Sequence, residues 1–246
     1  MEREFDVTTP DGTMPCFAAW PNPGQHGDAP YPVVIMYMDA PGIREELRDF
    51  ARRIAGQGYY AVLPDLYYRL GLHRFNLAKR TEKMTEMIFA AWHSLTNAGV
   101  ESDTAALMDE LGNDAAASDG PMGCVGYCMS GAYVTHVAGT FPDRFAANVS
   151  LYGVYIITEH ADSPHLLIPK IEGEMYYAFA EHDRWVPLEL VEQLRRTLDA
   201  NGVTHETEVF PTTEHGFAFP QREVYHEPSA EIVWEKMFKL YARVLG

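Results

Sequence analysis

The chain has 246 residues, long enough for one large α/β domain or two small ones, and with 47% of them hydrophobic it can bury a sizeable core. Its 35 acidic residues outnumber 19 basic ones, for a formal net charge of -16, which argues against nucleic acid or an anionic membrane as partner. No apolar run approaches membrane-spanning length, and Met1-Glu2-Arg3-Glu4-Phe5-Asp6 lacks a signal-peptide core, so a cytoplasmic location is expected.

In chain order, residues 5–8 and 14–20 predict an antiparallel strand pair joined by the turn Thr9-Pro10-Asp11-Gly12. Residues 22–30 are polar and turn-rich and read as a loop, not a linker. Residues 33–38 form a nearly continuous apolar run, the mark of a strand buried on both faces. Ile43, Leu47, Phe50 and Ile54 recur at steps of three and four, which predicts a helix over 43–57, with Gly58 as its stop. A strand over 59–63 follows. Met84, Met87, Ile88, Ala91 and Leu95 make another helical stripe, read as a core face.

Further strands are predicted over 122–125, 149–152, 176–180 and 206–210, with helices over 132–139, 188–200 and 232–245. Strands alternating with helices imply a mainly parallel, doubly covered sheet behind the N-terminal antiparallel pair, in a single domain over 1–246. In such sheets sites form at the carboxyl ends of strands.

Three segments at those ends carry chemistry. Gly126-Tyr127-Cys128-Met129-Ser130-Gly131 joins an apolar strand to a helix through a sharp turn, the context of a nucleophile elbow with Cys128 at its apex. Asp183 follows the aromatic strand over 176–180, and His215 follows the strand over 206–210. Nucleophile, acid and His occur in the α/β-hydrolase order. A thiolate at Cys128 is suited to attack an ester or lactone carbonyl, His215 to move the proton, and Asp183 to hold the imidazole's tautomer.

These segments, with Val33-Val34-Ile35-Met36-Tyr37-Met38-Asp39-Ala40-Pro41-Gly42, Pro64-Asp65-Leu66-Tyr67 and His215-Gly216-Phe217, give the chain its resemblance to the dienelactone hydrolase family of α/β-hydrolases. The resemblance runs from about residue 33 to 217. It implies the α/β-hydrolase fold, a Cys128-His215-Asp183 triad, and hydrolysis of small esters or lactones without a cofactor. By the fold's rule the oxyanion donors are the backbone N–H groups of Met129 and, from the resemblance, Ala40. A family Glu that contacts the resting thiol is replaced here by the shorter Asp39. An arginine that binds the substrate carboxylate shortly after the catalytic His is replaced by Phe219, and the next arginine is Arg222. Arg74, Lys79 and Arg80, in the stretch 69–80, are the other cations on offer. Tyr127, Trp185, Phe217 and Phe219 are expected to make an apolar mouth, with Arg222 beside it.

Other readings compete. Ser130 loosely fits a serine elbow, which would make the protein a serine esterase. A non-catalytic binding protein on a hydrolase scaffold is a second alternative. Cys16 and Cys124 read as inert core residues, and an odd total of three cysteines argues against a disulfide framework. Glu159, His160, Asp162 and His165 have no metal-site spacing, and no metal is expected. The sequence carries no signal for an oligomeric state.

Overall fold

A computed structural model of the chain describes residues 1–71 and 74–246. The backbone divides into two compact units, Met1–Gly120 and Pro121–Gly246.

In the first unit β1 (Glu2–Thr9) pairs antiparallel with β2 (Gly12–Ala19), from Glu2↔Ala19 to Thr9↔Gly12. β2 also pairs antiparallel with β4 (Tyr60–Pro64), and β4 pairs in parallel with β3 (Val33–Tyr37). Every residue of β3 and β4 is buried, as their unbroken apolar runs require. Helix α1 (Glu45–Ala55) buries Leu47, Phe50, Ala51 and Ile54, and places acids in its first turn and arginines in its last. Successive side chains of β1 point to opposite faces. Glu2 and Glu4 meet Arg52 and Arg48 of α1, while Arg3 between them meets Asp114. Asp114 lies just beyond α3 (Asn97–Leu111), so α1 and α3 cover opposite faces.

Helix α2 (Glu82–His93) starts at Thr81, whose hydroxyl accepts the Met84 N–H. The expected methionine stripe is only partly a core face. Ile88, Ala91 and Trp92 are buried, but Met87 is 48% exposed, because the buried arc runs along the 88–92 row instead. Helix α3 was not anticipated from the sequence. Its buried side includes Asp103 and Thr104 as well as Val100, Leu107 and Leu111, and the two polar residues interrupt the apolar period. Asp103 is 1% exposed and is bound by Arg69 through two contacts of 2.8 Å and by the Tyr68 hydroxyl at 2.8 Å. Arg69 also reaches Asp11, so one buried carboxylate ties the turn at Tyr68–Leu70 and the β1–β2 hairpin to α3.

The second unit is parallel throughout: β5 (Met122–Tyr127), β6 (Phe145–Leu151), β7 (Glu174–His182) and β8 (His205–Glu214) pair in chain order. Helix α4 (Met129–Thr140) packs on β5 and β6, and α6 (Glu227–Val244) on β6 and β7. Tyr177 shares a 2.9 Å hydrogen bond with Thr135 of α4. Its neighbour Tyr176 donates to Glu208, which pairs with Lys236 of α6. The two helices therefore lie on opposite faces. Helix α5 (Leu188–Ala200) has the expected bounds, and Pro164–Lys170 forms a 3-10 segment against α4. Tyr152, expected inside a strand, lies one residue beyond β6 with φ 40°.

The Asp103 cluster sets a stability prediction. Asp103→Ala leaves Arg69 and Tyr68 without their buried acceptor. Breaking a fully buried pair costs about 3–5 kcal/mol, and the partial exposure of Arg69 reduces this to about 2–4 kcal/mol here. Urea denaturation of wild type and variant measures the difference.

Candidate active site

The elbow is built by close approach. β5 runs straight into Cys128, whose φ of 58° and ψ of -117° are unusual for a residue with a side chain, and α4 begins at the next residue. The turn closes only without side chains on its flanks. A Cβ on Gly126 would lie 2.4 Å from the Ser130 carbonyl oxygen, and one on Gly131 would lie 2.3 Å from Gly153 Cα. The Cys128 N–H donates to Leu151 O at 3.0 Å, and Cys128 O accepts from Val154 N–H at 3.0 Å and Gly131 N–H at 3.1 Å. Half-buried Cys128 is thus held on both sides by the turn after β6. Met129, the first residue of α4, is buried and puts its amide at the positive end of the helix.

Asp183 and His215 stand at the ends of β7 and β8. The Asp183 side chain has no exposed surface; its Oδ1 accepts the N–H groups of Trp185 at 2.8 Å and Val186 at 3.3 Å. That turn aims Oδ2 at His215 Nδ1, 2.7 Å away. His215 Nε2 is buried and completes no hydrogen bond of ordinary geometry. Burial alone pulls the imidazole pKa down, but hydrogen bonding to Asp183 and Cys128 and the charges of both outweigh it. The net effect is a rise from 6.5 to about 9. Cys128, Asp183 and His215 therefore act on one another within a single unit, and their arrangement can hold a proton on the imidazole beside a sulfur.

The remaining candidates fall elsewhere. Tyr127, Phe217 and Phe219 are 1%, 0% and 0% exposed. They are core residues: Tyr127 packs on Phe219 at 5.2 Å and Phe217 on Phe210 at 5.3 Å, so none of the three presents the expected open mouth. Trp185 is half-buried and lines a small apolar slot of about 20 Å³ with Gly153, Tyr155, Ile156, Val186 and Leu190. The Arg222 guanidinium lies 4.4 Å over the Phe219 ring and against Gly216, beside His215. Ser130 is fully buried, and its hydroxyl accepts the Tyr127 N–H at 2.8 Å and donates to Tyr127 O at 3.1 Å.

In the first unit Asp39 is wholly buried and bound by Arg44 through contacts of 2.5 and 3.2 Å. Arg44 also holds Glu46, and Ala40 O accepts the Tyr67 hydroxyl at 2.8 Å. Sequence reading missed Arg44, Glu46 and Tyr67; the spacing of Asp39 and Arg44 around Gly42 was the available signal. Arg69 is taken by Asp103 and Asp11, Arg74 by Asp65, and Arg80 by Thr85. Within the stretch 69–80, Leu72 and His73 lie outside the described residues. Cys16 and Cys124 are buried, which raises both thiols' pKa, and Cys124 Sγ faces Asn148 Oδ1 at 3.2 Å. His165 bonds Ser163, and no cluster of three metal-ligating side chains occurs among the described residues.

The chain has the fold of the α/β-hydrolases. It aligns with a structure provisionally assigned as a dienelactone hydrolase from Klebsiella pneumoniae subsp. pneumoniae MGH 78578, with a TM-score of 0.86, 25% identity and 98% of both chains covered. The fold alone is shared with a dienelactone hydrolase-like promiscuous phosphotriesterase from metagenomic libraries, at a TM-score of 0.81, 18% identity, and 99% and 98% coverage.

The family profile described as "Dienelactone hydrolase family" matches residues 21–245, and the chain belongs to that family of carboxylic ester and lactone hydrolases. A provisionally named carboxymethylenebutenolidase of Escherichia coli (strain K12) is 27% identical over 243 residues, covering 95% of this chain and 83% of the relative. One so named from Synechocystis sp. (strain ATCC 27184 / PCC 6803 / Kazusa) is 27% identical, with 86% and 85% covered.

The Asp183–His215 pair has a titration consequence. A raised folded-state pKa contributes stability that is fully present below about 6.5 and lost as pH rises through about 9. Asp183→Asn should move the His215 midpoint from near 9 back toward 6.5, read by NMR of ¹⁵N-labelled histidine. The part of the stability difference linked to the His215 proton should be present just below about 6.5 and diminish as pH rises through about 9.

Proposed function

We propose that the protein hydrolyses small neutral esters or lactones through a thioester on Cys128. The observation that carries this reading is His215, half-buried with its Nε2 atom enclosed, bonded to Asp183 at 2.7 Å and raised to about 9 with Cys128 among the causes. Such an environment favours a protonated imidazole beside the Cys128 sulfur. In acylation the sulfur forms a bond to the carbonyl carbon, and the carbonyl π electrons move onto oxygen. The Met129 N–H at the start of α4 stabilises that oxyanion. When the oxyanion collapses, the ester C–O bond breaks and the imidazolium Nε2–H passes its proton to the leaving alkoxide. In deacylation neutral His215 takes a proton from water, whose oxygen attacks the thioester. Collapse then returns the electron pair to sulfur and releases the acid.

Two observations favour Cys128 over Ser130. The Ser130 hydroxyl is engaged on both sides by the Tyr127 backbone and has no exposed surface, whereas Cys128 stands at the strained apex. Cys128→Ala should abolish ester hydrolysis with a native circular dichroism spectrum, and iodoacetamide should inactivate the wild type. Activity surviving in Cys128→Ala and lost in Ser130→Ala would assign the reaction to the serine. Loss of both hydrolysis and thiol reactivity in the wild type across an ester panel would favour a binding protein. Because the leaving group needs the His215 proton, kcat/KM should fall as pH rises through about 9.

Neutral substrates are favoured because the arginines offered as carboxylate anchors have other commitments. Arg69, Arg74 and Arg80 hold residues of their own unit, and Arg222 lies on Phe219. A carboxylate buried without a cation is costly. The slot beside Trp185 has no charged lining residue and is joined to the triad by the Trp185 N–H bond to Asp183. A methyl ester should therefore show a higher kcat/KM than the otherwise identical substrate bearing a free carboxylate. Preference for the acid, weakened by added salt, would make Arg222 the anchor instead.

A further inference from the structure

We infer that Tyr152 is a positioning residue that sets the plane of the His215 imidazole and couples it to the backbone of Cys128. This rests on the triad reading and extends it. One hydrogen bond from Nδ1 to Asp183 fixes a point on the ring but leaves rotation about that axis, so the direction of Nε2 needs a second contact. The Tyr152 ring supplies it. Its centroid is 5.1 Å from the imidazole at an interplanar angle of 65°, and 5.5 Å from the Phe217 ring at 64°. Phe217 in turn is backed by Phe210, 5.3 Å away. Tyr152 is wholly buried, so its ring has no room to swing aside.

The backbone at this point is also constrained. Tyr152 has φ 40°, a conformation costly for a residue with a side chain, and its N–H donates to Ala178 O at 2.6 Å as β6 ends beside β7. The residue before it and the residue two after it hold the nucleophile: Leu151 O accepts the Cys128 N–H, and Val154 N–H donates to Cys128 O. Gly153 lies against Gly131 of the elbow helix with no space for a Cβ. A single turn, 151–154, thus grips Cys128 through its backbone and His215 through its one aromatic side chain. Strain retained where two reacting groups meet is what pre-organisation of their relative geometry requires.

The test compares Tyr152→Phe, which keeps the ring, with Tyr152→Met, which keeps most of the volume but no flat wall. Tyr152→Phe should match wild type in kcat and in the His215 titration. Tyr152→Met should lose roughly 10- to 100-fold in kcat with a much smaller change in KM, the scale expected for a misplaced reacting group. It should also broaden or shift the His215 ¹⁵N resonances in the absence of substrate. Wild-type kcat and an unmoved imidazole titration in folded Tyr152→Met would overturn the proposal. If Tyr152→Met does not fold, Tyr152→Leu and Tyr152→Trp carry the same readouts, and equal kcat in a ring-lacking and a ring-bearing variant would overturn it. The NMR readout needs no turnover, so an active Cys128→Ala would reject the triad while leaving the Tyr152–His215 contact to be judged separately.

Discussion

The site depends on how closely α4 approaches the end of β6. Gly131 and Gly153 meet with no room for a side chain on either, and Gly126 passes under the Ser130 carbonyl in the same way. That contact bends the chain sharply enough to lift Cys128 out of the strand line and put its carbonyl and amide in the grip of Leu151 and Val154. The strained φ at Cys128 persists because two backbone hydrogen bonds and a packed helix over-determine it. Without the approach, the cysteine would be one more buried thiol like Cys124, four residues earlier in the strand that leads to it.

Electrostatics then couples three side chains. Asp183 has no exposed surface, yet its two oxygens are satisfied by two backbone amides and the imidazole. A charged carboxylate in that position favours the protonated ring, and the sulfur on the other side favours it further. Burial acts in the opposite direction and is outweighed. The arrangement uses a low-dielectric setting to strengthen short-range pairing, which a solvent-exposed His would not experience.

The arginines of the first unit show a different use of charge. Arg69 and Arg44 each satisfy a buried acid, Asp103 and Asp39, while Arg74 pairs with Asp65. In a chain with a net charge of -16, several of the few cations are consumed in making acidic residues tolerable in the interior. Asp39, where the family resemblance suggested control of the thiol, is held by Arg44, which in turn holds Glu46. Replacing a longer carboxylate with a shorter one here coincides with an ion pair inside its own loop.

Much of this was legible in the chain. Strands β3, β4 and β5 announced themselves as unbroken apolar runs because both their faces are covered, and α5 because its apolar residues keep the helical period. The order of Cys128, Asp183 and His215 at strand ends was readable because each follows an apolar strand directly. Helix α3 was not, since its buried face centres on Asp103, a residue whose burial depends on Arg69 thirty-four positions away. Nor were the places of Phe217 and Phe219, which their position after His215 in the family resemblance suggested for a mouth and which packing buries in the core. Local pattern determined the elements and the order of the chemical groups, because periodicity and turn chemistry act over a few residues. Tertiary structure alone decided which charges are paired, which aromatics are buried and how Tyr152 meets His215, because those depend on contacts between segments distant along the chain.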